Sequence, residues 1–279
     1  MFEQALAIIR NTFLESIRQP VLLILMIIAI LALVASNALS GYTMEDDNRM
    51  MVDLGLSSVF LLGTLGAAFI ATSVLTREIE NKTALTVISK PVGRPLFVIG
   101  KFLGVGAALT IATLFMGFVF MLVNLHGVQQ TVRIPYHQPV LTFGLSALAL
   151  GLFVGVWSNY FYNKVFASTV LCVTTPLLAI AYGLSLMFDA GWGAQSPAVA
   201  FRGDLWLAIL GLLTAILVLT AIAIAASTRL GQVMTLSVTV GVFLIGMLSD
   251  AMFGAPAHRI EQTWLDRAHE TGKAHFVTI

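Results

Sequence analysis

Charge is what this sequence has least of. Of its 279 residues, 10% are Asp, Glu, Lys or Arg and 58% are hydrophobic, against roughly 25% charged in an ordinary soluble domain. That balance excludes a water-soluble globule. The 15 basic and 14 acidic residues leave a net charge of +1, so no broad basic field exists to hold a phosphate backbone, and nucleic acid is not an expected partner. Cysteine is nearly absent. Cys172 stands alone, which excludes an internal disulfide or a thiolate cluster, and it is expected as a small buried hydrophobe.

Catalytic and ligand motifs are missing too. A phosphate-binding loop needs Gly-x-x-x-x-Gly-Lys-Ser/Thr. Gly93 to Gly100-Lys101-Phe102 has the wrong spacing and lacks the hydroxyl that would hold magnesium. There is no His-Glu-x-x-His helix and no Gly-x-Ser-x-Gly elbow. His126, His137, His258, His269 and His275 show no ligand-like spacing, so neither a metal nor a cofactor is expected. The chain reads as no enzyme, and any ATP hydrolysis belongs to a partner. No ionisable residue falls at mid-span, which argues against a proton or sodium relay.

What the sequence has is apolar length. Seven runs nearly free of charge stand out: Val21 to Leu39, Leu54 to Leu75, Leu96 to Asn124, Pro139 to Ser158, Val165 to Phe188, Leu205 to Ser227 and Gln232 to Ser249. At about 1.5 Å per residue each can cross a hydrocarbon core of about 30 Å. Backbone polar groups in lipid must be satisfied within the segment, so the runs are predicted to be helices. None alternates as a membrane strand would. The expected fold is all-α and polytopic, with about seven transmembrane helices.

Basic residues orient it, because short loops rich in Lys and Arg stay in the cytoplasm. With the N-terminus inside, the cytoplasmic set is Arg10, Arg18, Arg77, Lys82, Lys90, Arg94, Lys101, Lys164 and Arg229. The outer loops hold Arg49, Arg133 and Arg202 beside Glu45, Asp46, Asp47 and Asp53. Seven spans then put residues after Asp250 outside. Three competing readings would change this: a cleaved leader in place of the first span, a re-entrant hairpin near Gly191-Trp192-Gly193, and a further helix beyond the tail.

Three polar or mixed segments are not simple spans. Phe2, Leu6, Ile9, Phe13 and Ile17 recur at helical spacing, with Glu3, Arg10, Asn11, Glu15 and Arg18 expected to face elsewhere. This predicts an interfacial helix over 1–19, broken at Pro20. The second is the cytosolic stretch 76–95, with Arg77, Glu78, Glu80, Lys82, Lys90 and Arg94 as its charges and Leu85 and Ile88 as apolar anchors. A short wet helix with apolar anchors suits the gripping of a soluble partner. Lys101 follows, its stem expected to snorkel back to that surface. The third is a polar tail, 255–279, in which Pro256, Ile260, Trp264 and Ala268 suggest a short surface helix. Gly100 with Gly104, and Gly151 with Gly155, are small residues four apart that permit close helix approach. A break at Asn159 to Lys164 is echoed at Ser227 to Gln232, as two tight hairpins.

The order of an N-terminal interfacial helix, two spans, Arg77-Glu78, Thr83, Leu85, Ser89-Lys90-Pro91, Arg94 and then Gly100-Lys101 resembles permeases of the type-two ABC exporter family. Permeases serving nitrous oxide reductase maturation are similar in plan. The resemblance is clearest over residues 1–124. At one point the chain departs from it, carrying Lys82-Thr83 where the family commonly has Gly-Thr. The resemblance implies a permease domain over 1–254 in a bacterial inner membrane, its coupling segment 76–95 docking on a separate ABC ATP-binding subunit. It also implies a homodimer or heterodimer of permeases around a transport path. A membrane-integral anchor or assembly factor without such a path is the alternative from another class.

Overall fold

The computed structural model describes residues 2–40, 47–80, 93–128 and 136–249, and in the tail 254, 260 and 262–264. The apolar runs are helices: α1 Phe2–Ile17, α2 Pro20–Ser40, α3 Asp47–Glu80, α4 Arg94–His126, α5 Gln138–Tyr162, α6 Phe166–Ser185, α7 Pro197–Ala200, α8 Gly203–Ser227 and α9 Gln232–Ser249. Seven of them, all but α1 and α7, are long and apolar enough to cross a membrane. The protein is an all-α polytopic fold. Helix α3 starts seven residues before its apolar run, and at 34 residues it is about 51 Å long, well beyond a core of about 30 Å. Its extra turns are polar. Asp47, in the first of them, favours a helix N-terminus because its carboxylate meets the positive end of the helix dipole.

Helix α4 is the centre of the bundle. It packs against α1, α2, α3, α5, α6 and α8, and 72% of its most apolar window is buried, against 22% for α5 and 11% for α9. Glycine makes the packing in and around α4 close. Gly55 and Gly63 of α3 accept the Phe120 ring and the Ile216 side chain, and Gly117 lies against Ile209. Phe118, Tyr182 and Trp206 form an edge-on cluster with centroids 5.1 to 6.3 Å apart.

Helices α5 and α6 form a tight hairpin. Asn163 turns the chain in the left-handed region at φ 52, which Asn tolerates better than most residues, and its neighbour Asn159 donates to the Lys164 carbonyl at 2.8 Å. Gly151 and Gly155 are the reason the two helices meet. A Cβ on Gly151 would stand 3.2 Å from the Thr174 Cα, and Gly155 receives Val170 and Phe166. The second hairpin, α8 to α9, turns through Thr228 to Gly231 with Leu230 N–H donating to the Ala226 carbonyl at 3.0 Å.

One expectation is corrected here, and one competing reading is set aside. Cys172 is exposed on α6, because a helix apolar on every side offers no polarity contrast to mark its inner face. The Gly191-Trp192-Gly193 stretch is a closed turn between α6 and α7. Asp189 Oδ1 accepts from the Gly191 and Gly193 amides at 2.9 and 2.7 Å. Trp192 packs on Phe143 and Phe188 and donates to Gln138 at 3.0 Å. Of the tail, Ile260 and 262–264 are helical.

The Thr174 backbone cannot retreat without moving α6, so Gly151→Val should cost about 1–3 kcal/mol by overpacking. Gly211→Ala, with open space around it, should stay within about 0.5 kcal/mol. Thermal unfolding in detergent checks both, and equal midpoints for the two variants would refute the close-approach account.

His137 carries a second prediction. Its Nδ1 accepts from the Val140 N–H at 3.4 Å, capping α5. Burial first, then the nearby His126 imidazole, hold its pKa below the ordinary 6.5. A base with a depressed native pKa binds fewer protons folded than unfolded. Its stabilisation is complete above the unfolded value and is lost as pH falls through the window below it. Unfolding temperature should drop between neutral pH and about pH 5, and His137→Asn, which keeps a capping acceptor, should flatten that slope. An unchanged slope would mean that another group carries the pH dependence.

Candidate functional site

The sequence pointed to 76–95. Arg77, Glu78 and Glu80 lie in the last turns of α3, and Arg94 is the first residue of α4. Lys82, Leu85, Ile88 and Lys90 lie outside the described residues. The flanks of the segment are therefore what the structure supplies, and both lead to α1.

Helix α1 seats on α4 at Gly100 and Gly104. A Cβ on Gly100 would lie 3.2 Å from the Ile8 Cβ, and one on Gly104 would lie 2.8 Å from the Ile9 carbonyl oxygen. The small-residue pair is used by the N-terminal helix rather than by another span. Thr12, which meets Gly104, and Ser16 are fully buried, and Ser16 Oγ donates to the Thr12 carbonyl at 2.7 Å. The apolar stripe is partly as expected: Ile17 is buried, Phe13 packs against the core, and Leu6 is 55% exposed.

Lys101, beside Gly100, does not snorkel. It is 2% exposed, its Nζ lies 3.7 Å from Glu15 Oε2 and 5.6 Å from the centroid of the Phe97 ring. A buried ammonium is held only where an opposite charge and a ring face compensate lost water. Glu15 turns toward α4 for this reason, against the expectation that it faces away. On the other flank, Gln19 Nε2 donates to Ser73 Oγ at 2.6 Å and Ser73 Oγ donates to Gln19 Oε1 at 2.9 Å. Gln19 sits at the break between α1 and α2, and Ser73 lies just before the segment begins.

The end of α1 thus touches both sides of 76–95, α3 through Gln19–Ser73 and α4 through Glu15–Lys101. Sequence reasoning missed Glu15, Gln19 and Ser73. The available sign was Thr12 and Ser16, small hydroxyl residues four apart that suit close helix contact. Among the described residues no group of three or more His, Cys, Asp and Glu side chains is placed to hold a metal ion. Set against known protein families, curated proteins and solved structures, the chain matches none.

Glu15→Ala strands the Lys101 charge and should destabilise the fold by about 1–2 kcal/mol, discounted for the partial exposure of Glu15. Lys101→Met should cost less, since a flexible apolar chain suits the slot, and the double variant should resemble Lys101→Met. A double-mutant cycle on unfolding temperature measures this, and strictly additive effects would mean that the pair is not coupled.

Proposed function

We propose that this chain is the transmembrane permease subunit of an ATP-binding cassette exporter, with a separate cassette subunit hydrolysing ATP. In this reading two permeases, identical or related, flank the path in a bacterial inner membrane. The N-terminus is cytoplasmic and the tail after Asp250 is outside. The reading rests on the resemblance over residues 1–124, and the observation that carries it is the pair of ties around 76–95. A docking segment does work only if its displacement reaches the spans. Gln19–Ser73 and Glu15–Lys101 join its two flanks to one helix, and through Pro20 to α2.

Glu78, Glu80, Lys82 and Arg94 supply charge complementarity to the cassette partner, with Arg77 and Lys90 beside them, and Leu85 and Ile88 the buried anchors. The test uses a soluble protein with a phosphate-binding loop as the candidate cassette partner. The permease alone should hydrolyse no ATP. Leu85→Asp with Ile88→Asp should abolish pull-down of the cassette protein, whereas Gln19→Leu should keep association and lower permease-stimulated ATPase. Association and stimulated activity both unchanged in Leu85→Asp/Ile88→Asp would place the docking surface elsewhere. Association without stimulation or transport in the unmodified protein would favour the anchor.

A further inference from the structure

At the end of the bundle opposite the ties, a groove of ≈ 290 Å³ opens between α2 and α5, floored by α4. Its walls are Ile30 and Val34 on one side and Leu145 and Leu148 on the other, over Val119 and Leu122. Helices α2 and α5 each pack on α4 and make little contact with one another, so the slot is left between them. The polar side chains in its lining, Asn37 and His126, both sit at one end. Asn37 donates to the Gly127 carbonyl at 2.7 Å, and His126 stacks on Tyr136 at 5.9 Å. Tyr136 is 62% exposed, in the place where an aromatic ring marks the headgroup level.

Three quantities select the occupant. Ile30 to Ala38 on α2 and Val140 to Leu148 on α5 each cover about 12 Å of helix, close to the roughly 15 Å depth of a single leaflet's hydrocarbon. The polarity runs the same way as in a lipid, with hydrogen-bonding groups at the mouth and hydrocarbon below. A groove of this size, open along its side, can take one extended acyl chain lengthwise. The flanks open sideways to the bilayer, Val34 being 55% and Leu145 62% exposed, which gives a chain a lateral way in.

We infer that this groove is a phospholipid site, taking one acyl chain between α2 and α5 with the headgroup beside Asn37, His126 and Tyr136. The site stands independently of the exporter reading, since it needs only a bilayer. Gly144 sets its width. Gly144 is buried, and the nearest side-chain atom a Cβ there would meet is Leu122 Cδ1 at 3.7 Å, so a larger side chain fills the slot rather than striking backbone.

The test is photolabelling of the full chain in phosphatidylethanolamine–phosphatidylglycerol vesicles that contain a phosphatidylglycerol with a diazirine midway along one acyl chain. Labelled residues are mapped by mass spectrometry. Labels should concentrate at Val119, Leu145 and Leu148 relative to Leu152 and Phe153, which are 50% and 60% exposed elsewhere on α5. Gly144→Leu should remove the groove labels and leave those at Phe153. Ala38→Phe fills the slot from the opposite, exposed wall and repeats the test in case Gly144→Leu fails to fold. Even labelling over all exposed faces would reduce the groove to boundary lipid and overturn the inference, as would groove labels that survive both variants. Disulfide dimers of Leu145→Cys in a Cys172→Ala background would assign the face to a second copy and overturn it equally.

Discussion

Everything in this bundle depends on how closely other helices can approach α4. Lipid is as apolar as a leucine side chain, so burial against a neighbour brings little of the hydrophobic gain that drives soluble folding, and packing contact has to hold the helices together. Closeness is what the glycines provide. Gly55, Gly63 and Gly117 receive Phe120, Ile216 and Ile209, and Gly100 and Gly104 receive α1. The consequence is a gradient from centre to edge. Helix α4 is buried by six neighbours, whereas α9 touches mainly α3 and α8 and buries little beyond Thr235 and Thr239.

The same constraint explains the buried ammonium of Lys101. Lys101 stands next to Gly100, at the point where α1 must come nearest to α4, so its head has no route to water once α1 is seated. The fold compensates with Glu15 and the Phe97 ring. Replacing such a pair by apolar residues of similar size is often neutral for stability, so its worth lies in position: it sets where along α4 the N-terminal helix rests.

Element existence was legible in the sequence because lipid leaves so few options. An apolar run of about 20 residues must be a helix, and seven runs became seven spanning helices. Boundaries were less legible where helices leave the membrane. The rule that found α3 sees only apolar residues, so it missed the turns from Asp47 to Asp53. Facing was the least legible feature. On α1 the apolar stripe pointed to Leu6, which is exposed, while the contact with the α4 glycines is made by Ile8 and Thr12. On α6 no stripe existed to read, hence the outward Cys172. Of the segment 76–95, the flanks are placed and Lys82, Leu85, Ile88 and Lys90 lie outside the described residues, so the docking role proposed for it rests on resemblance and on what surrounds it.

Helix α2 is what joins the two ends. At one end Gln19, immediately before it, is hydrogen-bonded to Ser73 of α3. At the other, Asn37 holds the Gly127 carbonyl at the end of α4, where the backbone turns through φ 74, a conformation open to glycine and strained for most other residues. Coupling between distant sites needs a rigid element with discrete arrangements that both sites bias. With both ends pinned to different helices, α2 cannot slide freely along its axis. A displacement of α3 relative to α4 therefore either carries α2 with it or breaks one of the two hydrogen bonds. Because α2 also forms a wall of the groove lined by Ile30 and Val34, the width of that slot follows from how the opposite end of the bundle is held.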